Sequence, residues 1–227
     1  MSIGDEAFNS CSQLRSVVIP NSVKNIGSKA FNGCSQLLSV TIGESVMSIG
    51  DSAFAQCPKL IEVVNKSALA IAKGSDNYGL VAKNALEIHD GDSKIINQND
   101  YLFYTYEDIN YLLGYVGTGA SLTLPINYNG EEEYSIYSKA FKNNSTITSV
   151  TISSGVTDIG TEAFYECDKL TNVTMSNGVQ TIGQSAFRGC GHLSNVIIAN
   201  SVTTIGQQAF YDTGLTSLII PNSVATI

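Results

Sequence analysis

The chain has 227 residues, 43% hydrophobic and 14% charged, with a formal net charge of -8. This apolar share sustains a packed core and argues against disorder, while twelve scattered Lys and Arg against twenty Asp and Glu argue against a nucleic-acid partner. No run approaches the ~18 apolar residues of a membrane span, and no basic segment at the N-terminus leads into an apolar one.

The first predicted elements belong to a repeat. Ala-Phe recurs at Phe8, Phe31 and Phe54, then at Phe141, Phe164, Phe187 and Phe210, each step inside a block being 23 residues. A fixed period of this size marks a solenoid, in which one coil cannot bury its apolar stripe and stacked neighbours do so. Within residues 1–64 the fullest copy places Leu14, Val17, Ile19, Pro20, Val23, Ile26, Gly27, Ala30, Phe31 and Cys34 in order. Alternation at Val17 and Ile19 predicts a short strand with one inward face. Val23 and Ile26 then point apolar side chains back across a turn, Gly27 is expected to adopt a conformation closed to bulkier residues, and Ala30-Phe31 closes the coil. Stacking at roughly 4.8 Å per strand would bury each Phe for about 1.5–3 kcal/mol and align the strands in one parallel sheet.

Asn65 stands where the strand Ile is due, and the 87 residues from Phe54 to Phe141 are not a multiple of 23. Residues 65–118 therefore read as an insertion. Its stretches 67–72 and 80–86 are rich in helix formers and predict short helices. Residues 100–106 and 111–115 read as strands around the polar Glu107-Asp108-Ile109-Asn110, which predicts a β-hairpin. A second block, 119–227, opens on an irregular coil: Leu122-Thr123-Leu124-Pro125 reads as the strand and Ile136 to Phe141 as the closure. Five extra residues between them, around Asn129-Gly130-Glu131-Glu132-Glu133, predict a protruding acidic turn. Met1-Ser2-Ile3-Gly4 enters inside a repeat and the last residues stop one short of the next Ile-Gly. The sequence is thus expected to be a stretch of a longer exported protein, with a signal peptide, caps and further repeats elsewhere.

Ile19-Pro20-Asn21-Ser22-Val23, Ile26-Gly27 and Ala30-Phe31 followed by Cys34 resemble the BspA-like leucine-rich repeats, a family of bacterial and protozoan surface proteins. The resemblance covers about two thirds of the chain in two blocks; the repeat ending at Leu215 is one residue short. It implies a right-handed leucine-rich-repeat solenoid with one parallel sheet on its concave face, short 3-10 or irregular convex turns, and the hairpin and short-helix insertion as an interruption. It further implies an extracellular or cell-surface location and adhesion to host-matrix or other surface proteins. It brings no catalytic motif, cofactor or metal with it.

Cys11, Cys34, Cys57, Cys167 and Cys190 each lie three residues after the repeat Phe, where other copies have Asn144 and Thr213. One thiol per coil makes a line, not the paired arrangement of a zinc site; these positions read as small inward groups bonding the turn backbone, and as free buried thiols. His192 reads as a surface residue. His89 lies in Ile88-His89-Asp90-Gly91-Asp92, which lacks the acidic ligands of a calcium loop and reads as a solvated turn.

Nine of the eleven tyrosines fall in residues 61–140, beside five basic and eleven acidic residues. Tyrosine offers large contact area at low entropic cost, which makes Tyr101, Tyr104, Tyr106, Tyr111 and Tyr115, with Glu131, Glu132 and Glu133, a candidate partner-binding surface. Packing of the hairpin onto the solenoid explains the same tyrosines without a partner. The outward strand columns are small, neutral and nearly uniform, namely Val18, Thr41, Val64, Thr123, Thr151, Thr174, Ile197 and Ile219, and, before the strand Val, Ser16, Ser39, Glu62, Ser121, Ser149, Asn172, Asn195 and Ser217. They lack the Trp, Tyr and Arg anchors of tight interfaces. The sequence thus supports a noncatalytic adhesion or protein-binding scaffold of unstated oligomeric state. A structural spacer that presents another domain is the alternative, and a surface-polymer hydrolase, which would need a carboxylate pair in a cleft, is a remote one.

Overall fold

The computed structural model describes residues 1–130 and 133–227, which divide into two compact units, Met1–Lys94 and Ile95–Ile227. The first unit contains β1 (Ser2–Ile3), β2 (Ser16–Ile19), β3 (Asn25–Ile26), β4 (Ser39–Ile42), β5 (Ser48–Ile49), β6 (Glu62–Asn65) and β7 (Glu87–His89). β2, β4, β6 and β7 pair in parallel, with Ser16, Ser39, Glu62 and Glu87 in one row. β1, β3 and β5 form a second parallel sheet, Ile3 beside Ile26 beside Ile49. Each regular coil supplies two strands. The expectation of a single sheet is thereby corrected: the residues before Ile-Gly are not a bend but two-residue strands, too short to show alternation, that exchange backbone bonds with the next coil.

The second unit contains β8 (Ile96–Gln98), β9 (Tyr101–Tyr106), β10 (Ile109–Tyr115), β11 (Ser121–Thr123), β12 (Tyr134–Ile136), β13 (Ser149–Ile152), β14 (Val156–Ile159), β15 (Asn172–Met175), β16 (Thr181–Ile182), β17 (Asn195–Ile197) and β18 (Thr204–Ile205). One sheet is parallel, β11-β13-β15-β17. The other has seven strands in the order β18-β16-β14-β12-β10-β9-β8, parallel up to β10 and antiparallel beyond it. The hairpin is grafted onto the edge that the repeat strands leave open.

Both units bury the periodic residues. In the first, Ile19, Val23, Ile26, Ala30, Phe31 and Cys34 are inside, as are Val40, Ile42, Phe54 and Cys57 one coil on. In the second, Val150, Ile152, Val156, Ile159, Phe164, Cys167 and Leu170 repeat the set. The Phe rings stack face to face, 5.1 Å apart at both steps from Phe8 to Phe54. From Phe141 to Phe210 the spacings are 4.8, 5.2 and 5.3 Å. The backbone reinforces this ladder, because Phe31 N–H donates to the Ala53 carbonyl at 2.7 Å and Phe164 N–H to Ala186 at 2.7 Å. The residues two before and two after Phe164, Glu162 and Glu166, both have left-handed φ, 55° and 52°. The chain accepts that local strain at the turn to keep every coil in register.

The thiols close the turn from inside. Cys34, Cys57, Cys167 and Cys190 are buried, and each Sγ donates to the Phe carbonyl of the preceding coil's turn at 3.0–3.3 Å; Cys11 is exposed. Burial, with neighbouring Cys34 adding to it, pushes the Cys57 thiol up to about 12. Thr213 Oγ1 donates to the Phe210 carbonyl at 3.0 Å, and Asn144 Oδ1 accepts from the Ile147 N–H at 2.9 Å.

Residues 67–72 and 80–86 are not helical. A single 3-10 turn, Tyr78–Leu80, stands between them among turns and bends. Left-handed φ at Tyr78, Gly79 and Leu80 (50°, 63° and 67°) interrupts helix formation there, and a short run of good formers cannot repay helix nucleation by itself. The segment instead prolongs the stack. Phe54 N–H donates to the Gly79 carbonyl at 2.7 Å, where a regular coil would present Ala, and β7 extends the first sheet.

The repeat glycine owes its identity to spacing and not to φ. A Cβ built on Gly27, Gly160 or Gly183 would lie 2.5, 2.5 or 2.6 Å from backbone of the preceding coil, and none of the three has positive φ. This corrects the conformational role expected for Gly27. Gly183→Ala should destabilise the chain by about 1–3 kcal/mol through overpacking. Gly4→Ala, where an added Cβ meets nothing within 4 Å, should stay within about 0.5 kcal/mol, and urea unfolding of the two variants checks the difference.

Candidate interaction surface

The hairpin forms as expected, with a tighter turn. Glu107 and Asp108 alone connect β9 to β10, both with left-handed φ (49° and 61°), the type I′ geometry whose twist suits flanking strands. Tyr106 faces Ile109 across the turn, and Tyr104 faces Tyr111. A register shift between Leu112 and Gly114 makes a bulge at Leu113 before β10 rejoins β9 at Gly114, opposite Leu102.

Ring packing governs most of the tyrosines. Phe103 lies at the centre, 4.7 Å from the Tyr128 ring and 5.1 Å edge-on from Tyr134. Tyr101 is buried, packs 5.0 Å from Tyr115 and donates its hydroxyl to the Thr123 carbonyl at 2.8 Å. Tyr134 donates to the Pro125 carbonyl at 2.6 Å. Tyr104 is wholly buried at 0% exposure. Tyr106, Tyr111 and Tyr115 are half-buried, Tyr111 edge-on to Tyr137 at 5.3 Å, and Ile109 is 47% exposed. Tyr115 Oη accepts the Gly119 N–H at 3.4 Å. Of the residues singled out in the sequence, Tyr101 and Tyr104 thus serve the packing. Tyr106 and Tyr111 gather at the tip with Ile109, a residue that the tyrosine pattern did not flag. Glu133 is exposed, and its carbonyl accepts from Asn110 Nδ2 at 3.3 Å. Glu131 and Glu132 lie outside the described residues.

Burial raises the phenols of Tyr101, Tyr111, Tyr134 and Tyr137. Tyr115 adds to the effect at Tyr101, Glu107 and Asp158 at Tyr111, Tyr101 at Tyr134, and Tyr111 at Tyr137. A phenol raised in the folded state contributes stability that is complete below the ordinary phenol range and lost as pH climbs through the folded values.

The strand columns fit the uniform reading, with one exception. Ser121 and Ser149 run along the second unit with their hydroxyls 2.7 Å apart. Val18, Ile197 and Ile219 stand open to solvent. At Glu62 the pattern breaks, for a carboxylate occupies a column that the regular coils fill with Ser and Asn, and it is 0% exposed. Its Oε1 accepts the Lys94 N–H at 2.7 Å and sits 3.2 Å from His89 Nε2; its Oε2 accepts Ser93 Oγ–H at 2.5 Å. The solvated turn expected at His89 is therefore overturned: His89 ends β7 with its side chain only 14% exposed, and the following residues fold over Glu62. Lys94 pairs with Glu87, and Lys66 with Asp92 at 3.9 Å. His192, by contrast, is exposed, with Nδ1 2.7 Å from the Asp168 carbonyl. Among the described residues no group of three or more His, Cys, Asp and Glu is placed to hold a metal ion, and no helix is long and apolar enough to cross a membrane.

Two outcomes follow from this geometry. Glu62→Ala empties a buried position and removes the acceptor of Ser93 Oγ–H and Lys94 N–H beside half-buried His89; it should lower stability by about 1–3 kcal/mol in denaturant titration, with Glu62→Gln losing less. From neutral pH upward, stability should begin to fall in the ordinary thiol range, at about pH 8.5–9, because Cys57 stays protonated in the fold, and should fall further above about pH 10 as the buried phenols are called on to ionise, tyrosinate absorbance at the buried phenols rising together with loss of the β-sheet circular dichroism signal.

Residues 1–112 and 122–227 match the BspA type Leucine rich repeat region, in six copies. Among curated proteins none matches the chain. Among solved structures, the pneumococcal vaccine antigen PcpA is similar at a TM-score of 0.51 and 22% identity, over 98% of this chain and 54% of that one. A leucine-rich repeat protein of Bacteroides capillosus aligns at 0.47 and 24%, over 59% of this chain and 96% of that one. A leucine rich cell surface protein of Faecalibacterium prausnitzii aligns at 0.43 and 19%, over 98% and 62%. The chain spans only about half the length of the PcpA structure. These likenesses concern the fold, and together with the stacked 23-residue coils the sequence match leads to one conclusion: the chain belongs to the BspA type leucine-rich repeat family.

Proposed function

We propose that the chain is a noncatalytic, protein-binding scaffold displayed at a bacterial cell surface, and that its partner contact is the tip of the β9–β10 hairpin. The observation that carries this reading is the division of the tyrosines. Tyr101, Phe103 and Tyr104 are locked inside, while Tyr106, Ile109 and Tyr111 remain partly open at the end of a hairpin those inner rings hold rigid. A pre-ordered aromatic tip loses little entropy on binding. Glu133, whose carbonyl accepts from Asn110 near the tip, would flank the contact, and host-matrix or other surface proteins are the partners this chemistry suits. The cell-surface description of the Faecalibacterium protein supports the location.

A spacer role is the second reading, favoured by the strand columns, whose Ser121 and Ser149 hydroxyls bond one another instead of presenting a distinctive contact. Replacing Tyr106 and Ile109 by Ser separates the two. On immobilised matrix proteins the binding reading expects a loss of about tenfold or more in affinity, as for an interface anchor, with circular dichroism unchanged. Equal binding by the folded double variant would transfer the chain to the spacer reading.

A further inference from the structure

The position immediately after the repeat Phe carries a pattern that the stack does not require. In the first unit it holds Asn9, Asn32 and Ala55; in the second it holds Lys142, Tyr165, Arg188 and Tyr211, alternating cation and ring coil by coil. Lys142 Nζ sits 4.3 Å from the Tyr165 ring centre, and the Arg188 guanidinium lies 5.9 Å from Tyr165 and 5.0 Å from Tyr211. Since Asn9 and Asn32 support the same Phe ladder, the alternation is not a condition of coil stacking.

The two cations differ in what they have left to offer. Lys142 is paired with Glu162 at 2.6 Å. Arg188 has no acidic partner among the described residues, and the one hydrogen bond of its side chain runs from Nη1 to Gln208 Oε1 at 2.9 Å. A guanidinium has five N–H donors, so most of the Arg188 fork is unspent. The Tyr165 and Tyr211 hydroxyls beside it also lack hydrogen-bond partners among the described residues, and Tyr211 is 56% exposed. Three donor groups on successive coils thus stand in a row about 5 Å apart, the strand spacing. The rings hold the guanidinium in place, which removes much of the ordering loss that usually weakens a surface arginine.

We propose that Arg188, flanked by Tyr165 and Tyr211, is a docking site for a carboxylate side chain of an acidic peptide segment. The fork accepts a carboxylate through two parallel N–H···O bonds, and the phenol hydroxyls on either side can donate to the same or the next acidic residue. A peptide suits the ridge better than a uronate glycan, because Tyr165 has cations over its ring and offers a sugar no open face on which to stack. Glu162 makes the site selective: it neutralises Lys142 and leaves one fork with fixed orientation instead of a diffuse basic patch. The site is separate from the hairpin tip and stands or falls independently of it.

The test uses the full chain and a short fluorescein-labelled oligoglutamate, titrated by fluorescence anisotropy, with labelled oligolysine and oligogalacturonate beside it. Oligoglutamate should bind and weaken with added salt. Arg188→Ala should reduce its affinity about tenfold, while Lys142→Gln stays within about twofold, as expected for a charge already paired. Arg188→Lys keeps the charge but not the fork and should lose several-fold; it also serves if Arg188→Ala fails to fold, which thermal unfolding shows. No binding of oligoglutamate to the wild type, equal binding by Arg188→Ala or Arg188→Lys, or a preference for oligogalacturonate would each overturn the proposal.

Discussion

Each coil in either unit must lie within hydrogen-bonding reach of its neighbours over two strands and a turn, and this spacing governs which residues can stand where. A ring-to-ring step of about 5 Å leaves no volume between layers. It accounts for glycine after the second-strand Ile, since a methyl group there would enter the backbone of the coil before it. It also explains Ala before Phe, a thiol directed at a carbonyl in the previous turn, and left-handed backbone tolerated at Glu162 and Glu166. The repeat is the set of side chains compatible with a fixed pitch.

That origin explains what was legible in the sequence. The Phe, Val and Ile positions announced themselves because their burial recurs with the period, and the hairpin did so through its aromatic alternation and polar turn. The second strand was hidden, because Asn25 and Ile26 are too few to show a period of two and their pairing depends on a coil 23 residues away. Residues 67–86 carried a misleading local signal: helix propensity is worth tenths of a kcal/mol per residue, and stacking on Phe54 outweighs it. Glu62 was invisible for a different reason. Its three donors come from residues 27 to 32 positions later, at a place where the clock has already failed, so nothing local marks the Glu as buried.

The candidate surface was proposed from residue type alone, which carries no geometry. Tyrosine enrichment located the hairpin, but pairing across the turn divides its rings between a packed base and a partly open tip. The same enrichment drew attention away from Tyr165 and Tyr211, which are sparse in sequence and adjacent only through the stack. Counting residues along the chain finds clusters; a solenoid makes neighbours of residues 23 apart, and its surfaces have to be read down columns.

The parallel pairing within each unit has a mechanical corollary. The inter-coil bonds, such as Phe164 N–H to the Ala186 carbonyl, point along the stacking direction. A pull along that direction would open one coil at a time, each step loading only its own few bonds. A pull along the strands would shear every bond of a coil together. A unit built this way yields gradually to axial tension and resists transverse load, the behaviour of a tether that lengthens before it breaks.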